Sequence, residues 1–231
     1  MKYLLSQIAA VVGGRFSGTD CEVQSVVTDS RSLTCELGSG PVFVAMCGAN
    51  HDSHDFIAGM QSRGVRAFLV ERDVECPAGC GFVRVDNAID ALQRLAAHYR
   101  AQFKGTVVGI TGPNGKTVIK EWIAEELPEG MKYYRSPKSY NSQLGVPLSV
   151  LMIEGDEQLA LIEAGISKPG EMARLERIIR PDVVLFTSIG DAHQENFLNL
   201  EQKCDEKMVL AHRGEPLPVH KQADSYVYAG T

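Results

Sequence analysis

The chain has 231 residues, enough for one large domain or two smaller ones around a buried core. Apolar residues make up 44% and charged residues 23%, the proportions of a soluble globular protein rather than of a disordered or fibrous one. A net charge of -6 with no local Lys/Arg run gives no support to a nucleic-acid footprint, and no stretch approaches the length of a membrane span.

The opening "MKYLLSQIAAVVGG" has the lysine and apolar run of a signal peptide, but Ser6 and Gln7 interrupt it and no small-x-small cleavage site follows. Leu4, Leu5, Ile8, Val11 and Val12 fall on one helical face, so the spacing predicts a first helix closed by Gly13-Gly14, in a cytoplasmic protein. Six cysteines (21, 35, 47, 76, 80, 204) include one close pair, Cys76 and Cys80, with no second pair to complete a zinc site. Cys47, His51 and His54 suggest a metal cluster that lacks a fourth ligand, which makes free thiols the better reading.

Residues 1 to 85 read as short strands and helices, with "PVFVAM" and "RAFLVE" as strands around the helical "HDFIAGMQSRG". A connecting helix follows over 86–104, with Ile89, Leu92, Leu95, Ala96, Tyr99 and Phe103 at helical spacing and Asp86 or Asn87 as its cap. From 105 to 231 strands and helices alternate: "TVVGI", "KTVIKEWIAEEL", "QLALIE", "KPGEMARLERII", "DVVLFTSI" and "LEQKCDEKMVLAH". That order predicts a parallel sheet with right-handed crossovers, and the tail adds at most one short strand. The expected class is α/β: a small mixed α/β N-terminal domain, then an incomplete P-loop parallel-sheet central domain.

"GITGPNGKT" sits where a phosphate loop belongs, between a buried strand and a helix. The usual pattern wants a glycine six positions before its lysine, and Ile110 stands there. The context still suits phosphate, because backbone N–H groups open at the positive end of the helix. Lys116 can reach terminal phosphates and the Thr117 hydroxyl can ligate Mg²⁺. Ligands of open α/β sheets lie beyond the carboxyl ends of the strands, where Glu163 and His193 fall. A carboxylate and an imidazole facing the same phosphates form a plausible Mg²⁺ shell. Taken singly, without the loop, Glu163 reads rather as a strand-end salt bridge and His193 as a helix cap.

With these residues in view, the sequence resembles the Mur ligases, ATP-dependent amide ligases of peptidoglycan synthesis. Their loop, T-G-[TS]-N-G-K-[TS], matches "TGPNGKT" except at Pro113, which removes one backbone N–H. "TDSRSL", "PVFVAMCGANHDSHDFI" and "GVRAFLV" resemble the first, UDP-sugar-binding domain of two members. "SPKSYNSQLGVPLSVL", "LIEAGISKPGEMARL" and "RPDVVLFTSIGDAHQENF" are most similar to the member that joins D-alanyl-D-alanine to UDP-N-acetylmuramoyl-tripeptide, in a form found fused to alanine racemase. No racemase sequence is present.

The resemblance implies a role for each matching residue. Gly112, Asn114, Gly115, Lys116 and Thr117 would bind ATP. Thr117 and Glu163 would ligate one Mg²⁺ and His193 a second. Lys207 would be carbamylated to support the second metal, although by its own sequence it is equally a solvated helix lysine. Asn141 would help position substrate, and Thr28, Asp29, Ser30 and Arg31 would lie near the uridine diphosphate. The implied reaction is attack of the tripeptide carboxylate on the ATP γ-phosphate, then displacement of phosphate from the acyl phosphate by the dipeptide amine. The family has three domains, of which residues 1–85 and 105–231 would be the first and part of the second. On that expectation the third, C-terminal domain would not be among these 231 residues, and weak or no turnover and exposed sheet edges are expected of them. A silent UDP-sugar-peptide-binding module and an unrelated P-loop NTPase are the alternatives.

Overall fold

The computed structural model describes residues 1–31, 40–48, 52–75, 77–187, 196–211, 220–222 and 225–229. They divide into two compact units, Met1–His98 and Tyr99–Thr231. No helix among the described residues is long and apolar enough to cross a membrane.

In the first unit the elements run β1 (Tyr3–Leu4), α1 (Leu5–Val12), β2 (Arg15–Gly18), β3 (Glu22–Val23), β4 (Ser25–Val27), β5 (Pro41–Val44), α2 (Ile57–Ser62), β6 (Ala67–Val70), β7 (Gly81–Arg84) and most of α3 (Ala88–Arg100), whose Tyr99 and Arg100 belong to the second unit. α1 is the helix that the apolar spacing predicts, and it stops because Gly13 turns left-handed at φ 70°. Its buried face is Leu5, Ile8, Ala9 and Val12; Leu4 precedes the helix and is exposed, a correction to the predicted face. The five-stranded sheet has the order β2-β7-β6-β5-β4, with four parallel strands and β2 antiparallel on the edge. Phe68 stacks on Phe82 and meets Phe43 edge-on, and these rings cluster with Val27, Ile57 and Met60 to form its core. Asn87, not Asp86, caps α3, its side-chain oxygen accepting from the Asp90 N–H at 2.9 Å.

The second unit contains β8 (Thr106–Thr111), α4 (Lys116–Glu125), β9 (Tyr133–Arg135), α5 (Gly145–Val150), β10 (Leu159–Ala164), α6 (Glu171–Ile179), β11 (Val183–Phe186), α7 (Leu200–Met208), β12 (His220–Gln222) and β13 (Ser225–Ala229). Its sheet runs β12-β13-β11-β8-β10-β9. β11, β8, β10 and β9 are parallel, as the alternation predicts, whereas β13 pairs antiparallel with β11 and β12 with β13. The tail therefore supplies two strands where the sequence reading allowed one, and β9 was not foreseen. All six residues of β10 are buried, consistent with a central strand covered on both faces. Arg100 donates to the Ile179 and Arg180 carbonyls at 2.8 and 2.9 Å, satisfying the last turn of α6 where Arg180 turns left-handed.

Candidate phosphate and metal site

The parallel register sets Glu163 beside Ile110 and Ala164 beside Thr111, so β8 and β10 deliver their carboxyl ends to one place. β11 ends next to them, and the Thr187 N–H donates to the Thr111 carbonyl at 2.9 Å. Beyond Thr111 the chain turns through Gly112 at φ 148° and Gly115 at φ 78° into α4. A Cβ on Gly112 would lie 2.1 Å from Thr187 Oγ1, so only glycine admits this approach. The same hydroxyl donates to the Asn114 carbonyl at 2.5 Å and ties the loop crest to the third strand. Lys116, the first residue of α4, folds back to donate to the Gly112 carbonyl at 2.8 Å. Burial lowers its pKa below the ordinary lysine value, and Glu163 opposes that shift.

Glu163 is fully buried and is the centre of the site. Its Oε2 accepts from Thr117 Oγ1 at 3.1 Å and, more weakly, from Asn141 Nδ2 at 3.4 Å. Its Oε1 is paired with the Lys120 ammonium at 2.9 Å. The Thr111 hydroxyl, at the end of β8, is buried without a hydrogen-bond partner. Asn141 is held from behind, its carbonyl accepting the Gly165 N–H at 2.7 Å, and a Cβ on Gly165 would lie 3.0 Å from the Asn141 side chain. The Glu163 Oε2 oxygen and the Thr117 hydroxyl beside it are hard oxygen donors of the kind that Mg²⁺ takes, so these residues fit such an ion.

Of the remaining sequence candidates, Lys207 lies in the last turn of α7, 7% exposed. Burial, followed by the charges of Lys116 and Lys203, pushes its pKa down to about 8, so it is not the solvated lysine that its sequence equally allowed. His193 lies outside the described residues. Thr28, Asp29, Ser30 and Arg31 follow β4 in the first unit. The Arg31 fork grips the Asp29 carboxylate at 2.8–3.2 Å and holds its pKa down to about 2. Lys120 and Thr187 were not singled out in the sequence. The available signal for Lys120 was its place four residues after Lys116, on the same helical face as Ala124.

Of the Cys47, His51 and His54 of the sequence reading, His51 lies outside the described residues, and Cys47 and His54 converge instead with Asp52. The Glu71 N–H donates to His54 Nε2 at 2.9 Å, which places the ring proton on Nδ1, where it is shared with Asp52 Oδ1 at 2.5 Å. Both ring nitrogens are thus occupied, and burial, followed by the Asp52 and Glu71 carboxylates, raises the Cys47 pKa. The cluster is a structural bracket with a protonated thiol.

Residues 110–217 match the Mur ligase middle domain. A Bacillus subtilis UDP-N-acetylmuramoyl-tripeptide–D-alanyl-D-alanine ligase is 30% identical over 214 residues, 91% of this chain and 46% of that protein. The ligase of the same name from Escherichia coli is 33% identical over 85% of this chain and 42% of its own length. A crystal structure of MurF from Acinetobacter baumannii superposes with a TM-score of 0.81 at 28% identity, over 91% of this chain and 46% of its own. That of the Thermotoga maritima MurF ligase in complex with ADP gives 0.70 at 34% identity, over 81% and 43%. The chain spans a little under half the length of these relatives. By the matched middle domain, and by an alignment that runs through both units, the chain belongs to the Mur ligase family.

Proposed function

We propose that this chain carries the nucleotide site and the UDP-sugar-peptide site of an ATP-dependent amide ligase that joins D-alanyl-D-alanine to UDP-N-acetylmuramoyl-tripeptide. The observation that carries the reading is the convergence of Thr117 and Asn141 on the buried Glu163 carboxylate, directly behind a glycine loop at a helix N-terminus. Residues 1–85 would bind the UDP-sugar peptide, 86–104 connect, and 105–231 hold ATP. In the loop, Gly112, Asn114 and Gly115 shape the turn, and the N–H groups of the first turn of α4 receive phosphate oxygens. Lys116 then exchanges the Gly112 carbonyl for a terminal phosphate. Thr117 and Glu163 would hold one Mg²⁺, with His193 and a carbamylated Lys207 serving a second. Such ions supply charge neutralisation on the transferring phosphoryl group. Asn141 orients Glu163, and on the first unit Thr28, Asp29, Ser30 and Arg31 meet the uridine diphosphate. For that contact Arg31 would turn its fork from Asp29 to a phosphate.

The test is calorimetric titration of the folded chain with UDP-N-acetylmuramoyl-tripeptide and, separately, with ADP and Mg²⁺. Saturable binding of both, with the first lost in Arg31→Ala and the second in Lys116→Ala, is expected. ADP binding without any UDP-sugar-peptide binding would replace this reading with a generic nucleotide hydrolase. Binding of both ligands without turnover would describe a binding module.

A further inference from the structure

Lys120 is a lysine with no exposed surface, on the inward face of α4, one helical turn beyond Lys116. Burying an ammonium group costs several kcal/mol unless it is paired, and an apolar residue would fill the same place without that cost. Its contacts show what the charge is used for. Nζ donates to the Ser136 carbonyl at 2.6 Å and to the Lys138 carbonyl at 2.7 Å, bracing a bend in which Lys138 sits left-handed at φ 50°. It also lies 2.9 Å from Glu163 Oε1, and 3.4 Å from Glu121 Oε1 on its outer side.

The braced bend leads directly to Asn141, the amide that touches the other oxygen of Glu163. One ammonium group therefore acts on both members of that pair. Two of its protons go to the two carbonyls and its remaining side faces Oε1 at 2.9 Å, so Oε1 is held by the counter-charge and Oε2 is left toward Thr117 and Asn141.

We propose that Lys120 is a positioning residue for the divalent-cation site. It fixes the Glu163 carboxylate and, through the 136–141 bend, Asn141, so that Oε2 faces the Thr117 hydroxyl ready to receive the ion. This rests on the nucleotide reading above, and concerns only how the chain prepares its own ligands.

The experiment measures ADP affinity by calorimetry in EDTA and in Mn²⁺, with Mn²⁺ occupancy followed by electron paramagnetic resonance. It compares the wild-type chain with Lys120→Gln, Lys120→Met and Lys120→Arg, each first checked by thermal melting. In EDTA the folded variants should bind ADP as the wild type does, because the glycine loop is untouched. The gain in affinity brought by Mn²⁺ should fall roughly 10- to 100-fold in Lys120→Gln and Lys120→Met, the effect typical of losing a group that orients a metal ligand, and return in part in Lys120→Arg. Lys120→Gln keeps N–H donors for the two carbonyls and so separates loss of charge from loss of the bend. A lysine with only a structural role would lower the melting temperature and leave the Mn²⁺ gain intact; that result overturns the proposal. Failure of both neutral variants to fold, without rescue by arginine, likewise assigns Lys120 to the scaffold. Absence of any Mn²⁺ gain in the wild type would refute the nucleotide reading itself, and this assignment with it.

Discussion

Replacing Gly112 by alanine should damage the second unit far more than the same change at Gly115, although both glycines sit in one loop with positive φ. At Gly115, φ is 78° and the nearest atom to an added Cβ is Thr187 Cβ at 4.0 Å, so the cost is left-handed strain alone, about 1 kcal/mol. At Gly112, φ is 148° and the new methyl would meet Thr187 Oγ1 at 2.1 Å, with Thr187 N and Cβ both at 3.2 Å. Backbone strain of roughly 1–2 kcal/mol is joined there by overpacking of roughly 1–3 kcal/mol, for a total of about 2–5 kcal/mol. Thr187 must also release the Asn114 carbonyl, so the loop loses its tie to β11. Differential scanning calorimetry of the two variants measures the gap, and ADP titration shows whether the loop still closes on phosphate. Thr187→Ala added to Gly112→Ala removes the closest atom and should restore part of the lost stability, while leaving the 3.2 Å contacts in place. Equal melting shifts for the two single variants, or no gain in the double variant, would show that the Thr187 contact does not dictate the glycine.

Lys207, with its pKa near 8, should be about half neutral at pH 8, roughly a hundredfold more than an ordinary lysine, and so the preferred amine for carbamate formation. A carbon-13 carbamate resonance in labelled bicarbonate, absent in Lys207→Arg, is the expected signal; its persistence in that variant would locate it elsewhere. Because Arg31 lowers the Asp29 pKa to about 2 from 3.8, the stability this pair contributes is present above pH 3.8 and lost as pH falls through about 2. Carboxyl titration by NMR should return Asp29 toward 3.8 in Arg31→Ala, and an unchanged midpoint would exclude Arg31 as the cause. Glu71 accepts the Cys47 and Ala88 N–H groups, each at 2.7 Å, so Glu71→Ala should cost roughly 2–4 kcal/mol in urea denaturation and Glu71→Gln, with one carbonyl oxygen left, less. A near-neutral Glu71→Ala would mean that water replaces the carboxylate at both sites.

Elements whose apolar spacing is regular were legible from the residues alone: α1, α3, the β8–loop–α4 unit and the run β10–α6–β11. The glycine loop could be placed because a buried strand, a glycine turn and a helix-opening lysine coincide in sequence. β9 is three residues long and mostly exposed, in a tyrosine-arginine stretch, so it carries no alternation to read. The antiparallel pairing of β13 with β11 joins segments far apart in the chain, which local pattern does not encode. Asn141 and Lys207 were reached only through resemblance, since neither lies in a motif with its own chemistry. Lys120 was passed over because a lysine in a helix normally marks a solvated face, and only packing reveals that this one is buried.

The tie from Thr187 to Asn114 also sets an order of events for the growing chain. The loop is made early, yet the hydroxyl that fastens its crest is 73 residues further on. β8 waits similarly, because its two neighbours β10 and β11 are both synthesised after it. During translation β8 is therefore an unpaired apolar strand whose partners have not left the ribosome, and long-range closure of this kind is slow. The glycine-loop site is thus completed late in the synthesis of its unit, and a ligand that fits it would act as a folding aid by capturing the closed loop once Thr187 arrives.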